Sequence, residues 1–113
     1  MGIGDQFKPR RLEIRDDGLW ENAFGKVTEI KWVNVARIRG INLDKIAFDE
    51  IFIAFENDSQ IISVGELEKA FGQVEEVARS LFAGIPPGWM SDLLQSGDRE
   101  ILLWEKNEQD SSV

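Results

Sequence analysis

Carboxylates, lysines and serines supply the chemistry open to this 113-residue chain, because it contains no His, Cys or Tyr. That absence removes the commonest general base, the strongest nucleophile and most zinc sites. Three acidic pairs remain as candidates: Asp16-Asp17, Asp49-Glu50 and Glu75-Glu76. The first is typical of a tight turn, the second opens a strand whose neighbours point to opposite faces, and the third lies on the polar side of a helix. The sequence therefore predicts no catalytic residue, no metal ligand and no cofactor, and a protein that is not an enzyme.

The aromatic residues are better candidates for a functional surface, because aromatic anchors dominate protein interfaces. Trp20 follows an Asp-Asp-Gly turn in a polar setting, and Phe24 is close by. Trp32, Trp89 and Trp104 have apolar neighbours, which favours the core. Trp104 also belongs to a C-terminal apolar strand that could form a sheet edge. The predicted binding surface is therefore made of Trp20, Phe24 and Trp104.

The charge of the chain is acidic and unevenly placed, with a net value of -8 at pH 7. Residues 1–45 carry nine Lys or Arg against seven Asp or Glu, whereas residues 46–113 carry four against fourteen. This balance argues against nucleic acid as a partner, since binding it needs clustered basic residues. It is typical of a soluble protein, and an acidic surface could also steer a basic protein partner.

No part of the sequence predicts a membrane span, because a span needs about 20 consecutive apolar residues and no run approaches that length. Residues 1–5 lack the charged-then-apolar pattern of a secretory signal. Without Cys, neither a disulfide framework nor thiolate metal binding is available. The expectation is a cytoplasmic protein.

A β-hairpin is predicted at the centre of the chain. The segment 50–56 is rich in β-branched and aromatic residues, and Asn57-Asp58-Ser59 has turn chemistry. A three-residue loop would place Phe55 opposite Ile61 and Ala54 opposite Ile62. One face would then carry Ile51, Ile53, Phe55 and Ile61, and the other Phe52, Ala54, Ile62 and Val64. Both faces of this hairpin are apolar, so each needs a cover.

An amphipathic helix follows the hairpin and is predicted to cover one face. Its apolar residues recur at three- and four-residue steps: Leu67, Ala70, Phe71, Val74, Val77, Ala78, Leu81 and Phe82. Ser63 and Glu66 have capping-box spacing for the start, while Gly84 and the following prolines indicate the end. Ile53, Phe55, Phe71, Val74 and Leu81 are expected to be among the most buried residues.

The remaining segments predict an α+β fold. Strands are expected at 11–15, 19–21 and 26–32, followed by a helical turn that leads into a strand through Ile38 and Ile41. A short helix is expected near 87–94 and a strand at 100–105. The predicted architecture is an antiparallel meander of about five strands on one long amphipathic helix, with a short helix and a C-terminal strand added. It forms one domain over 1–106, and 107–113 is a polar tail.

Short motifs along the chain resemble small bacterial proteins with a pleckstrin-homology-like strand meander. They are Leu12-Glu-Ile-Arg-Asp-Asp-Gly, Trp32-x-x-Val35-x-x-Ile38, Asp49-x-Ile51-x-Ile53-x-Phe55, Gly88-Trp89 and Leu103-Trp104-Glu105. The resemblance covers most of the chain and implies a fold but no reaction. The chain departs from a true pleckstrin-homology domain because a helix and a strand follow the main helix. It also offers only Lys8, Arg10 and Arg11 as the basic cluster that lipid-binding loops need.

Two functional classes stay open at this point. The first is a non-catalytic protein-binding module, such as an acidic inhibitor, an immunity-type protein or an adaptor. The second is a small-ligand-binding or enzymatic domain whose pocket lies between sheet and helix and uses Glu66 or Asp49. The absence of His and Cys favours the first class. A homodimer through the apolar strand Ile101–Trp104, or through the Trp20–Phe24 surface, is also expected.

Overall fold

The computed structural model describes residues 10–44 and 49–106, and all structural statements concern these residues. They form seven strands, one 3₁₀ turn and two α-helices. The elements in chain order are β1 (Arg11–Arg15), β2 (Gly18–Ala23), β3 (Lys26–Lys31), the 3₁₀ turn (Trp32–Asn34), β4 (Arg37–Asp44), β5 (Asp49–Glu56), β6 (Ile61–Gly65), α1 (Phe71–Leu81), α2 (Trp89–Ser96) and β7 (Glu100–Glu105).

The strands form two antiparallel sheets. The first is the meander β1-β2-β3, and the second has the order β6-β5-β4-β7. β3 of the first sheet lies close to β6 of the second. The α+β class is thus confirmed, but the predicted count is wrong: six strands precede α1, divided between two sheets. The main helix is also not long, since it has 11 residues.

The register of the central hairpin differs from the predicted one by one residue. Glu56 pairs with Ile61 and Phe55 with Ile62, so the loop contains four residues instead of three. The side chain of Asn57 accounts for this, because its Oδ1 accepts the N–H groups of Ser59 at 3.0 Å and Gln60 at 2.8 Å. The N–H of Asn57 also donates to the carbonyl of Gln60 at 3.0 Å, so these two residues close the turn and the strand begins at Ile61.

One consequence is that the hairpin has a single wholly apolar face. Ile62 and Val64 join Ile53 and Phe55 on the core side, where all four are fully buried. Because side chains alternate along a strand, the opposite side of β6 carries Ser63 and the half-exposed Ile61. The prediction of two apolar faces is therefore wrong for β6, whereas on β5 the same second side carries the fully buried Ala54 and the half-buried Phe52.

α1 begins later than the capping-box pattern predicts. β6 continues through Gly65, which pairs with Phe52, so Ser63 lies in a strand and cannot cap a helix. The carboxylate of Glu66 accepts the N–H of Ile51 at 3.1 Å, and the carboxylate of Glu68 accepts the N–H of Gly65 at 2.7 Å. Pairing within the sheet therefore takes precedence over the local helix signal.

The apolar residues of α1 fall into two groups. Phe71, Val74 and Ala78 share one side of α1 and are buried, as is Phe82 just beyond its end; Ile53 and Phe55 of the predicted core are fully buried too. Leu81 was predicted to be buried and is 53% exposed. Leu81 is the last residue of α1, and Phe82 follows in an extended conformation with its side chain buried, while Leu81 remains at the surface.

α2 is fixed by the fully buried Trp89. Its indole N–H donates to the carboxylate of Glu75 at 3.0 Å, and its ring lies over Gly40 of β4. α2 ends at Gly97, whose φ of 76° is left-handed, as is that of Gly84 beyond α1. β7 then runs along β4 with the predicted bounds, as an edge strand with an irregular register between Ile38 and Arg39.

Candidate functional site

An open groove of about 700 Å³ lies where the C-terminal end of α1 meets the 3₁₀ turn and β7. Its apolar lining consists of Trp32, Val33, Val35, Leu81, Phe82 and Trp104. Its polar lining consists of Asp16, Asp17, Lys31 and Lys106. Apolar side chains left in contact with water at the mouth of such a groove are a source of binding energy for a partner that covers them.

Three aromatic rings form the centre of this groove, which we call the Trp32–Trp104 groove. Phe82 is buried and packs edge-on against Trp104 at 4.7 Å and against Trp32 at 6.3 Å between ring centroids. Trp32 also packs against the core residue Phe55 at 5.8 Å. Both tryptophans are half-buried and line the groove from either side of Phe82. Edge-to-face contacts of this kind hold the rings in a fixed geometry.

The turn between β1 and β2 holds Trp32 in position. The indole N–H of Trp32 donates to the carbonyl of Asp16 at 3.1 Å, and its backbone N–H donates to the carbonyl of Asp17 at 2.9 Å. The Asp-Asp-Gly turn thus has the predicted structural role, and it also forms one wall of the groove. Trp32 is therefore fixed at both its main chain and its side chain.

The charges at the rim are only partly neutralised. The ammonium of Lys31 lies 2.6 Å from the carboxylate of Asp17 and 3.3 Å from that of Glu29. The hydrogen bond to Lys31 lowers the pKa of Asp17, and the bond to Asp17 raises the pKa of Lys31. Among the described residues, no hydrogen bond or ion pair engages the side-chain carboxylate of Asp16. One negative charge at the groove is thus available to a partner.

A second, more polar cleft of about 480 Å³ adjoins the groove. Asp16, Trp32 and Leu81 line both. The cleft continues between β1 and the exposed side of α1, where Glu76 and Ser80 lie. The two depressions together form an extended surface with apolar side chains at one end and polar ones at the other.

The predicted binding residues lie in different places. Trp104 is in the groove, but Trp20 is on the outer face of the first sheet and Phe24 is at the tip of the β2–β3 hairpin. Phe24 is 81% exposed with a left-handed φ of 55°. In the described part of the chain, no aromatic contact joins these three residues. The structure therefore does not assemble them into one aromatic patch.

Trp20 is covered by charged side chains of its own sheet. The guanidinium groups of Arg11 and Arg15 lie 5.5 Å and 5.1 Å from its ring, which is cation–π distance. Both arginines also form ion pairs with Glu13 and lower its pKa. The hydrogen bond from Arg15 has a larger effect on this pKa than the one from Arg11. This surface already has internal partners for its aromatic ring.

Trp32, Leu81 and Phe82 line the groove but were not predicted from the sequence to belong to a binding surface. All three were assigned to the core, and only Phe82 is fully inside. The available signal was the position of Leu81 and Phe82 at the end of the helix, just before Gly84, where the apolar stripe is no longer held against the sheet by a further turn. No signal in the sequence places Trp32 beside Trp104, since their proximity depends on the pairing of β7 with β4.

The carboxylates proposed for a small-ligand pocket have separate surroundings. Glu66 accepts a backbone N–H of β5, as described above, and Asp49 lines a small cleft of about 270 Å³ with Asn42 and Arg99. Within residues 10–44 and 49–106, no three acidic side chains converge as metal ligands. Over the same residues, no helix is long and apolar enough to cross a bilayer.

Of the predicted basic cluster, Arg10 is engaged within the fold, and Lys8 lies outside the described residues. The guanidinium of Arg10 bonds both carboxylate oxygens of Glu68 at 2.6 Å and also the carboxylate of Glu21. Burial opposes the charged form of Arg10, but these two partners more than offset it, so its pKa is raised. Arg10 thus joins the first sheet to the loop before α1.

The Asp17–Lys31 pair at the rim predicts an acid-dependent contribution to stability. The pKa of Asp17 is lowered from its ordinary value of 3.8, so its contribution is present above that value and is lost as the pH falls through the folded-state pKa. We expect Asp17→Asn to reduce the fall in unfolding free energy between about pH 5 and pH 2, measured by urea denaturation. Lys31→Gln should flatten the profile in the same way, and an unchanged profile in both variants would contradict the assignment.

Comparison of the chain with protein-family models, with curated proteins and with solved structures finds no match in any of the three. The resemblance to pleckstrin-homology-like proteins therefore stays a prediction. The function must be argued from the geometry of the groove.

Proposed function

We propose that this protein is a non-catalytic binding module that receives a segment of a partner protein in the Trp32–Trp104 groove. The observation that carries the proposal is the open apolar groove of about 700 Å³ with two half-buried tryptophans beside a buried Phe82. Tryptophans are over-represented among the residues that supply most of the energy of protein interfaces. An elongated groove with an apolar end and a polar extension suits an amphipathic segment, which lays one apolar face into such a surface.

The charge of the chain defines the chemistry of the partner. The net charge is -8, and the lining cations Arg15 and Lys31 are already paired with carboxylates. Among the described residues, the lining charges without an ion pair are two negative ones, Asp16 and Glu76, and one positive one, Lys106. Complementary charge steers association and fixes register. The partner segment is therefore amphipathic and basic, with apolar side chains for the aromatic end and cationic ones for the rim.

The groove is better suited to a partner than the two surfaces considered from the sequence. The β7 edge has an irregular register beside Ile38, and its strand begins and ends with the exposed Glu100 and Glu105. Bulges and terminal charges are devices that discourage pairing of edge strands. The Trp20 ring is already covered by two arginines. A homodimer through either surface is the competing assembly, and a monomer mass that persists in light scattering as concentration rises would exclude it.

A selection experiment with matched variants tests the proposal. A random peptide library is selected against the full chain, and the affinity of an enriched peptide is measured by fluorescence polarisation. Leu81→Glu places a charge in the groove, whereas Leu94→Glu places one on α2; the two leucines are 53% and 51% exposed. We expect Leu81→Glu to weaken binding about tenfold or more, which corresponds to about 1.4 kcal/mol. Leu94→Glu should change it less than twofold.

The opposite pattern would contradict the proposal. Peptides that bind Leu81→Glu as tightly as the wild type must bind outside the groove. Circular dichroism of Leu81→Glu should show that the variant is folded, so that a change in affinity is not due to unfolding.

A small-molecule ligand is the second candidate, because about 700 Å³ falls within the usual range of ligand pockets. A thermal-shift screen of metabolites addresses this candidate directly. A compound that stabilises the wild type and not Leu81→Glu would favour the small ligand over the protein segment.

A further inference from the structure

We infer that the Trp32–Trp104 groove recognises an arginine side chain of the partner segment, with its guanidinium against the two indoles and its charge on Asp16. This inference rests on the proposed function and assigns the residue type that determines specificity. It depends on three observations: the arrangement of the rings, the absence of an internal cation over them, and the distribution of charge at the rim.

Two half-buried indoles line the groove beside the buried ring of Phe82. Phe82 contacts both tryptophans, so the distance between Trp32 and Trp104 cannot exceed the sum of the two centroid distances, 6.3 Å and 4.7 Å. A guanidinium is attracted to an aromatic face when it lies within about 6 Å of the ring centroid. This bound is less than twice that distance, so it permits one planar cation in the groove to lie near both indoles.

The protein already uses the same interaction at another tryptophan. Arg11 and Arg15 lie 5.5 Å and 5.1 Å from the Trp20 ring. In the described part of the chain, no cation lies over Trp32 or Trp104. The aromatic faces in the groove thus lack the cation that Trp20 has, and a partner can supply it.

The charged residues at the rim favour binding of a cation near Asp16 and not near Lys106. The ammonium of Lys31 is occupied by Asp17 and Glu29, while the carboxylate of Asp16 has no partner among the described residues. Lys106 lies on the groove lining and opposes a second cation. Arginine is favoured over lysine because its planar guanidinium stacks on indoles and can bond a carboxylate through two N–H groups.

The test uses three probe peptides with the full chain. They are acetyl-Leu-Arg-Leu-amide and its versions with citrulline, which has the same shape without the charge, and with lysine. Binding is followed by the shifts of the tryptophan indole N–H signals in ¹⁵N-labelled protein. We expect the arginine peptide to shift the signals of Trp32 and Trp104 and to bind about tenfold more tightly than the citrulline peptide.

Two variants identify the charged partner. Asp16→Asn should reduce the arginine-to-citrulline affinity ratio to about twofold without changing the citrulline affinity, and Lys106→Gln should increase the ratio. Asp98→Asn, just before β7 and so at the opposite end of that strand from Lys106, is the control and should leave the ratio unchanged. The outcome for Asp16→Asn is independent of folding defects if the citrulline peptide still binds.

The alternative results have distinct meanings. Equal binding of the arginine and citrulline peptides at Trp32 and Trp104 would overturn the arginine assignment while supporting an apolar binding groove. A lysine peptide that binds as tightly as the arginine peptide would overturn the choice of guanidinium. If no probe peptide shifts either indole signal, the arginine assignment fails, and the proposed function fails with it only if a peptide selected on the full chain also leaves both signals unchanged.

Discussion

Trp89→Ala is expected to lower the free energy of unfolding by about 3 to 5 kcal/mol, the usual range for removing a large buried aromatic residue. Trp89 is fully buried, and its ring fills the space over Gly40, where a Cβ would lie 2.5 Å from the ring. A glycine has no side chain that could move into the resulting cavity. The change also removes the donor that Glu75 accepts, leaving that carboxylate with Arg79 alone. Urea denaturation of the wild type and of Trp89→Ala measures this difference in unfolding free energy.

Leu94→Ala is the matched control for Trp89→Ala, because Leu94 lies on the same helix and is 51% exposed. It should cost less than about 1 kcal/mol, since a half-exposed side chain leaves no closed cavity. If Trp89→Ala cost no more than Leu94→Ala, α2 would not be packed on β4 in solution as it is here.

Gly18→Ala is expected to destabilise the protein by about 3 kcal/mol, at the upper end of the usual cost of overpacking. A Cβ at Gly18 would lie 2.3 Å from the carbonyl oxygen of Ile30 and 2.8 Å from the Cα of Lys31. These are backbone atoms of β3, so no side-chain rotation can relieve the clash. The shift would also move Asp17 away from Trp32, whose N–H donates to its carbonyl. We therefore expect weaker peptide binding as well as lower stability.

Gly72→Ala provides the control within the same chain. Apart from its chain neighbours and the backbone of its own helix, nothing lies within 4 Å of the Cβ that this change adds to Gly72 of α1. Alanine is the better helix former, so stability should rise by up to about 1 kcal/mol. Thermal or urea unfolding of both variants measures the two changes in stability. If Gly18→Ala left the stability unchanged, β2 and β3 would approach less closely than the structure indicates.

Local patterns were sufficient to predict most elements of this fold. The β1–β2 turn, the 3₁₀ turn after β3, α2 ending at Gly97 and β7 at 100–105 all follow from short-range signals. Such signals are reliable where turn residues and apolar periodicity agree. The fold class and the burial of Phe71 and Val74 followed from the same reasoning.

Features that depend on competition between neighbouring elements were not predicted. The loop of the central hairpin is one residue longer than expected because the Asn57 side chain bonds two backbone N–H groups. α1 begins later than predicted because β6 continues as far as Gly65. In each case a hydrogen bond that the pattern does not encode decided between two locally acceptable arrangements.

The candidate site was only partly predictable for a related reason. Trp104 was predicted as a binding residue, but Phe82, which contacts it, and Trp32, which contacts Phe82, come from distant segments. The groove exists because β7 returns to pair with β4 and α1 ends beside it. Long-range pairing of this kind leaves no local signature in one sequence.

The most direct test of the central claim is the response of the four tryptophan indole signals to a peptide selected on the full chain. The four residues report separate places: Trp32 and Trp104 the groove, Trp20 the outer face of the first sheet, and Trp89 the core. Each signal is assigned from a Trp→Phe variant. If the groove receives the partner segment, the signals of Trp32 and Trp104 shift with a common dissociation constant while those of Trp20 and Trp89 stay in place. A shift at Trp20 with Trp32 and Trp104 unchanged would contradict this account and place the interface on the first sheet.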